Sequence, residues 1–311
     1  MITRDSNTNS LWQESLPVYA PRTTRISNHF FDVIIVGGGI TGITTACLLQ
    51  QAGFRCLVIE AEKLCYGTTG GTTAHINSLL DTTYGEVSRD FGTEQSKLLL
   101  HATHAARDLI RSNIEQFRFD CDYRDCTAFL YAKDNKQEEE LVSIALKGKE
   151  AGLDLSFTSE IPLPANFQKA IRVPHEAAMH PIKYVYGLAA AFEAAGGTIL
   201  ENHSFMTSQR LKIKLEVVTS NGTFSTRDLI FATHTPPNFN MVQMKFIPWR
   251  SYVHAFETKN PLPNNVLVYD LDEPYHYFRS HRWKDRDLII AGGEDHETGQ
   301  KAGEVHSFRK T

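Results

Sequence analysis

Apolar positions along this chain fall into short blocks with two different spacings. Residues Asp32–Val36 (DVIIV) form a continuous, β-branched run, the mark of a strand buried on both faces of a parallel sheet. A helical segment runs from there to about Gln51, where Gly53 stops it, and Arg55 to Glu60 is a second apolar strand. Together they predict one β-α-β unit of about 30 residues. Over 93–118 the spacing becomes helical, and Leu98, Leu99, Ala102, Ala105, Ala106, Leu109, Ile110, Ile114 and Phe117 share one broad face. Residues 126–131 read as a strand and 135–151 as an exposed helix carrying Glu138, Glu139 and Glu140. Pro162 and Pro164 punctuate a loop, and 182–195 is a helix ended by Gly196 and Gly197. Strand candidates then crowd the remainder, at 198–201, 211–218, 223–232, 247–257, 266–270, 275–279 and 287–291. Asn221-Gly222 between two of them signals a tight hairpin. Residues 1–30, with Pro17 and Pro21, read as an irregular arm.

This order predicts an α/β fold in which a Rossmann-like nucleotide domain is interrupted by a mixed α+β substrate domain. The expected boundaries are an arm over 1–30, nucleotide domain over 31–92, and a helical substrate region over 93–170. The nucleotide domain resumes over 171–236, substrate-domain strands cover 237–292, and 293–311 begins a return to the nucleotide domain. A chain of 311 residues is long enough for two cores.

The formal net charge is −4, with 22% charged residues. Coating nucleic acid or an anionic membrane needs clustered Lys and Arg, so the expected partner is a small molecule. No apolar run approaches the roughly 18 residues of a membrane span, and the polar start MITRDSNTNS lacks the features of a secretory signal. The cysteines are Cys47, Cys56, Cys65, Cys121 and Cys126; their number is odd and no pair has C-x-x-C spacing. Neither a disulfide framework nor a zinc site is signalled, and a reducing cytoplasm is the expected setting.

Gly37, Gly39 and Gly42 fit G-x-G-x-x-G between a buried strand and a helix, the context that gives this weak pattern meaning. The first glycine permits the tight turn, the second a close approach of backbone to pyrophosphate, and the third the packing of helix on strand. The helix N-terminus adds N–H groups and positive dipole. Glu60 closes the second strand about 20 residues on, where a carboxylate accepts from ribose hydroxyls and repels a 2′-phosphate. A second small, hydroxyl-rich loop, Gly67–Ala74 (GTTGGTTA), follows at once. It suits a second phosphate or the ribityl chain of an extended FAD, whereas a simple NAD domain would carry an ordinary helix there.

DVIIVGGGITGITTACLLQQAGFRCLVIEAEKLCYGTTGGTTA resembles the opening of the D-amino-acid-oxidase-like family of FAD-dependent oxidoreductases. Met179-His180-Pro181 and the helix after it are similar to the family's P-x-x-L helix entry. Asp228–Thr233 (DLIFAT) resembles its D-x-V-V-x-A-T-G strand, with His234 where Gly is usual. Met206 matches the strand position whose backbone meets the adenine in relatives. The resemblance implies a cofactor set of Gly37, Gly39, Ile40, Thr41, Gly42, Glu60, Ala61, Gly67, Thr68, Thr69, Thr72, Thr73, Met206, Ala232 and Thr233. GTTGGTTAHINS, FATHTPP, PWRSYV, DEPYHYFR and AGGEDHETGQ resemble the subgroup that often carries a C-terminal Rieske domain, and also the glutamylputrescine-oxidase branch. Some relatives attach FAD covalently through a His in the loop after the second strand. Gly71 holds that place here, so non-covalent FAD is expected. No cysteine has His two positions later, so no Rieske ligand set is expected, and the family's closing strand and helix beyond the GGED region are expected to be missing.

The implied activity is oxidation of an amine or amino acid at its C–N bond by hydride transfer to flavin. The alternative is a shortened, catalytically idle flavoprotein fragment that binds nucleotide or a partner. On the substrate side, Arg250, Tyr252 and His254 alternate on one strand candidate, and Tyr275, Tyr277 and Arg279 on another. Arg279, Tyr277 and His254 are the catalytic candidates, with Arg279 expected to anchor the substrate. His101 and His104 lack the carboxylate motif of a metal site, so no metal is expected. Cys65 reads as a small buried residue and not as a nucleophile.

Overall fold

The structure is a computed structural model that describes residues 8–22, 29–235, 237, 246–259 and 262–298. The chain divides into two compact units. One comprises Met1–Thr72, Asn113–Asp122 and His180–Phe246, the other Thr73–Ser112, Tyr123–Met179 and Ile247–Thr311.

The first unit grows from the predicted β-α-β. Strands β1 (Phe30–Val36) and β2 (Cys56–Ile59) run parallel, with Ile35 opposite Val58, and helix α2 (Ile40–Gln51) connects them. The six-stranded sheet has the order β7-β2-β1-β10-β9-β8. In it β7 (Thr198–Leu200) and β10 (Gly222–Phe231) continue the parallel part, while β9 (Lys214–Thr219) and β8 (Phe205–Leu211) are antiparallel. Ile34, Leu57, Ile59 and Val217 are wholly buried, which is why the central strands read as unbroken apolar runs. Helix α7 (Pro181–Ala194) packs against α2. The Asn221-Gly222 hairpin forms between β9 and β10. Strand β8, which holds the Met206 that the resemblance puts on a strand, does not show in the periodicity: it is an edge strand exposed along most of its length, so its sequence FMTSQRL has no apolar alternation to betray it. The arm is less irregular than expected. It contains a short helix α1 (Leu11–Ser15), capped reciprocally by Ser10 and Gln13, with Trp12 buried.

The second unit is an eight-stranded, mostly antiparallel sheet of order β11-β14-β13-β12-β4-β6-β3, with β5 (Ser156–Thr158) paired to β6. Its strands are β3 (His75–Ile76), β4 (Arg124–Ala132), β6 (Lys169–Ala178), β11 (Trp249–Glu257), β12 (Val266–Asp270), β13 (His276–Trp283) and β14 (Arg286–Glu297). Helices α4 (Tyr84–Phe91) and α6 (Asn135–Ala151) pack together, and their side of the sheet encloses Leu130, Leu141, Ile171 and Leu267. Several expected boundaries move, and Asn113–Asp122, expected in the substrate region over 93–170, belongs to the first unit. The nucleotide part placed over 31–92 ends at Thr72, and the part placed over 171–236 begins at His180. The cause is that β3 pairs with β6, so both belong to the second sheet. Pro174 had hidden β6, because proline removes a ladder donor. It lies where the β4–β6 register shifts, at the irregularity between Cys126 and Ala128.

Helix α5 (Thr93–Phe117) exists as read, but its apolar face is only partly turned inward, with Leu99 packed on the core and Ile110, Ile114 and Phe117 half-buried. Leu98, Ala102, Ala105, Ala106 and Leu109 are exposed, whereas Ser96, Leu100 and Asn113 are buried. Alanine supports a helix through propensity without burial, and the periodicity was therefore misphased. No described helix is long and apolar enough to cross a membrane.

Candidate functional site

The first unit carries a cradle made of main chain. Gly37 has φ +115° and its N–H donates to the Ile59 carbonyl at 2.8 Å, so the chain turns sharply off β1. A Cβ on Gly42 would fall 1.9 Å from the Gly37 carbonyl oxygen, and one on Gly37 would fall 2.4 Å from that of Ala232. Only glycine fits either place. Helix α2 then begins at Gly39 with neither a side-chain cap nor an acidic residue in its first turn, leaving its positive end to an anion. Glu60 holds the turn from below: Oε2 accepts the Gly38 N–H at 2.6 Å and Oε1 the Glu62 N–H at 3.0 Å. A carboxylate has about four acceptor sites, so two remain for ribose hydroxyls.

The second loop closes on the same turn. Its helical turn α3 (Thr68–Gly71) brings the Thr69 hydroxyl 3.1 Å from the Ile40 N–H, which it accepts. The end of β10 meets the turn as well, through the Ala232 N–H on the Val36 carbonyl at 2.8 Å. Thr233 bonds the Thr235 carbonyl, and His234 has φ +68°, a left-handed conformation at the place where the family pattern has glycine. Thr41, Ala61 and Thr68 are exposed around this cradle. Met206 is 58% exposed and lies at a register shift in β8. Cys65 is buried, and burial, reinforced by Glu60 and Glu201, pushes its thiol far up, away from thiolate chemistry. The donor set suits a dinucleotide: side-chain-free turn, uncapped helix end, hydroxyl-rich loop and ribose carboxylate.

The candidates of the second unit are placed differently. Arg279 is fully buried and its Nη1 donates to the carbonyls of Thr73 (2.7 Å), Ala74 (3.0 Å) and Met179 (3.2 Å). The expected substrate anchor is instead a clasp on main chain, holding Ala74 in a left-handed conformation at φ +56°. Tyr277 does share a face with it. Its ring lies 5.6 Å from Tyr275 and 5.7 Å from His75, and the Tyr275 hydroxyl donates to Asp81 at 3.1 Å. On β11, Tyr252 and His254 are half-buried and Tyr252 stacks on His296. Arg250 is exposed, and a register shift between Arg250 and Tyr252 takes it off the expected face.

Two titratable residues, the half-buried His75 and the buried Glu176, do not stand out in the sequence. His75 Nδ1 lies 2.9 Å from the Tyr269 hydroxyl, and that hydroxyl accepts from the Asn77 amide. Burial, with Arg279 and Arg124 nearby, lowers its pKa well below the usual range and keeps it neutral. Glu176 accepts from both the Ser78 N–H (3.0 Å) and the Ser78 hydroxyl. Burial outweighs these bonds and raises its pKa to about 7. His75 follows the Gly/Thr loop at once, a signal that was available; Glu176 sits in β6, which was not recognised. Asp270, Asp272 and His276 bring donor atoms within 4.8 Å of one another, but Lys133 Nζ bonds both carboxylates, which makes the group an ion-pair network.

Comparison with known proteins agrees with the cradle. The family model described as DAO, FAD dependent oxidoreductase, matches residues 32–310. A Bacillus subtilis (strain 168) protein named as a Rieske 2Fe-2S iron-sulfur protein, YhfW, is 29% identical over 278 residues, covering 88% of this chain and 54% of that protein. The gamma-glutamylputrescine oxidoreductase of Escherichia coli (strain K12) is 26% identical over 201 residues, 63% of this chain and 47% of that one. The chain thus spans about half the length of these curated relatives. Among solved structures, glycine oxidase from Geobacillus kaustophilus superposes with a TM-score of 0.72 at 16% identity, covering 90% of this chain and 76% of that one, a likeness of fold.

Proposed function

The chain belongs to the DAO family of FAD-dependent oxidoreductases, and from that premise we propose that it serves the oxidation of a small amine or amino acid. The observation that carries this reading is the cradle itself, in which Gly37, Gly42, the α2 N-terminus, Thr69 and Glu60 converge. FAD, when bound, supplies the acceptor for a hydride from the carbon beside the amine nitrogen. The rest falls to the protein. Main-chain N–H groups at Gly39, Thr41 and Gly42 face the pyrophosphate, while Thr69 holds the Ile40 N–H, and Glu60 takes the ribose hydroxyls. Gly67, Thr68, Thr69, Thr72 and Thr73 accompany the flavin half, and Ala61, Met206, Ala232 and Thr233 border the adenosine half. Gly71 offers no nucleophile, so the attachment is non-covalent.

In the second unit Tyr277 and His254 are the proposed substrate contacts. Arg279 is a positioning residue, because its guanidinium is engaged by three carbonyls. A neutral His75 beside Tyr277 adds an uncharged polar group to that face. The related gamma-glutamylputrescine oxidoreductase supports an amine as the substrate class. The proposed compartment is the cytoplasm, in keeping with five cysteines that are all free and buried.

The test is reconstitution with FAD, followed by anaerobic mixing with a panel of amines and amino acids while flavin absorbance is recorded. Bleaching by an amine supports the reading, and acid denaturation should then release the flavin. Binding of FAD with no bleaching by any amine would favour the idle-fragment alternative. Glu60→Gln should weaken FAD binding by about 1–3 kcal/mol, the scale of a charge-assisted hydrogen bond. Unchanged affinity would place the ribose elsewhere.

A further inference from the structure

The segment Ser10–Arg22 reads as a mere arm in sequence, yet it is tied to the cofactor loop at one end and to a helix at the other. At the loop end, the Ser10 hydroxyl donates to the Gly70 carbonyl at 2.5 Å and the Trp12 indole N–H to the Thr72 carbonyl at 2.7 Å. Gly70 is caught between this segment and its own loop. A Cβ there would lie 2.9 Å from Gln13 Nε2 and 2.3 Å from the Cys65 carbonyl oxygen. The capping box between Ser10 and Gln13 sets the direction in which both side chains leave α1.

The other end is anchored on α7. Tyr19 donates its hydroxyl to Glu193 Oε2 at 2.6 Å, and the Arg22 N–H donates to Oε1 of the same carboxylate at 2.8 Å. Between the ends, Ser15 meets His180, the residue that caps α7. His180 Nδ1 accepts the Lys183 N–H, so its proton sits on Nε2 and points at the Ser15 oxygen 2.7 Å away. The Ser15 hydroxyl in turn donates to the Trp12 carbonyl at 2.9 Å, and the Trp12 and His180 rings are 4.8 Å apart. Every one of these bonds lies within the first unit.

These contacts are more than a surface segment needs. Exposed connecting chain usually meets water, whereas here two side chains are aimed at two carbonyls of one short loop. That loop is the one whose Thr69 hydroxyl accepts the Ile40 N–H at the head of α2. Strap, loop and helix head are therefore linked in series.

We propose that Ser10–Arg22 is a strap that retains the flavin half of the cofactor, with Ser10, Trp12 and Gln13 as positioning residues acting through Gly70 and Thr72. The inference rests on the FAD reading above. The strap holds the loop in its receiving shape before the cofactor arrives, so the entropy of ordering that loop is not lost on binding. The adenosine half is met by Glu60 and the glycine turn, which the strap does not touch through any of the bonds described.

The experiment compares the full chain with Trp12→Phe, which keeps a ring but removes the N–H, and with Ser10→Ala. Dissociation constants for FAD are measured by calorimetry, and those for 5′-AMP, the half that ends at Glu60, by NMR titration. We expect the FAD constant to rise about five- to tenfold in Trp12→Phe and about threefold in Ser10→Ala, with AMP binding unchanged in both. Equal weakening of FAD and AMP would mean a merely structural segment and would overturn the proposal. Unchanged FAD affinity in both variants would overturn it too. Should Trp12→Phe not fold, Ser10→Ala decides by the same criteria. If the unmodified chain binds neither ligand, the cofactor reading falls and the strap with it. If it binds both and the variants bind FAD equally well, only the strap falls.

Discussion

The two units place functional groups by opposite means. In the first, the receiving surface is main chain from which side chains have been removed. A Cβ on Gly37 or Gly42 would meet a neighbouring carbonyl oxygen, and Gly39 gives α2 no side-chain cap of its own. In the second, the polar face is made of side chains brought from separate strands: His75 on β3, Tyr269 on β12, Tyr277 and Arg279 on β13. A backbone surface binds what every dinucleotide shares, its phosphates. A side-chain surface can be rebuilt residue by residue without refolding the sheet, which suits it to substrate choice. Substitutions should therefore fail differently in the two units, by sterics in the first and by lost hydrogen bonds in the second.

The strongest break in this comparison is Gly42→Val. Its Cβ would stand 1.9 Å from the Gly37 carbonyl oxygen, and neither can withdraw, because the Cβ is fixed to the backbone of α2 and the oxygen belongs to the main chain of the turn. We expect FAD binding to be lost and stability to fall by more than about 3 kcal/mol. Calorimetric titration and urea unfolding check it. A variant that binds FAD like the parent would refute the backbone cradle.

Arg279→Met comes next and separates a clasp from an anchor. Removing the guanidinium takes away the donor that the carbonyls of Thr73, Ala74 and Met179 share. The expected loss is about 3–5 kcal/mol of folding stability. An arginine that bound substrate would instead raise KM and leave the urea midpoint where it was. Measuring both in one variant decides between the roles.

What could be read in advance follows the same division. Gly37 and Gly42 were legible because backbone geometry demands glycine there, Gly39 and Glu60 because they stand at a fixed spacing from them, and β1 and β2 because burial on both faces gives unbroken apolar runs. Strand β6 was not, since Pro174 interrupts it at an irregular place in the sheet. The inward stripe of α5 was misplaced because alanines mimic a core face. The surroundings of Arg279 were not legible. Alternation along β13 put it beside Tyr277, but no local pattern shows that its partners are carbonyls about 100 and 200 residues away. Trp12 was lost for the same reason, its bond to Thr72 spanning 60 residues.

The smallest expected effect concerns Glu176, in the polar interior of the second unit. Its carboxyl is 2% exposed and accepts from the Ser78 N–H and hydroxyl, with Arg107 also favouring the charged form. Burial is the larger influence and raises the folded-state pKa from 4.5 to about 7. A raised pKa means that the folded protein holds this proton more tightly than the unfolded chain does. As pH rises from about 4.5 towards 7, the unfolded chain releases the proton while the folded one keeps it, so stability falls through that window. The full loss is at most about 3 kcal/mol, and it is complete above pH 7. Glu176→Gln cannot ionise and preserves an acceptor for Ser78. It should match the parent near pH 4 and exceed it by about 2 kcal/mol at pH 8, because only the parent is carrying a buried charge there. Urea midpoints taken from pH 4 to pH 8 for both proteins measure this directly. Parallel profiles would mean that Glu176 ionises as freely inside the second unit as in water. The buried carboxyl would then be solvated by groups other than Ser78, and the contrast between a backbone cradle and a titrating side-chain interior would weaken accordingly.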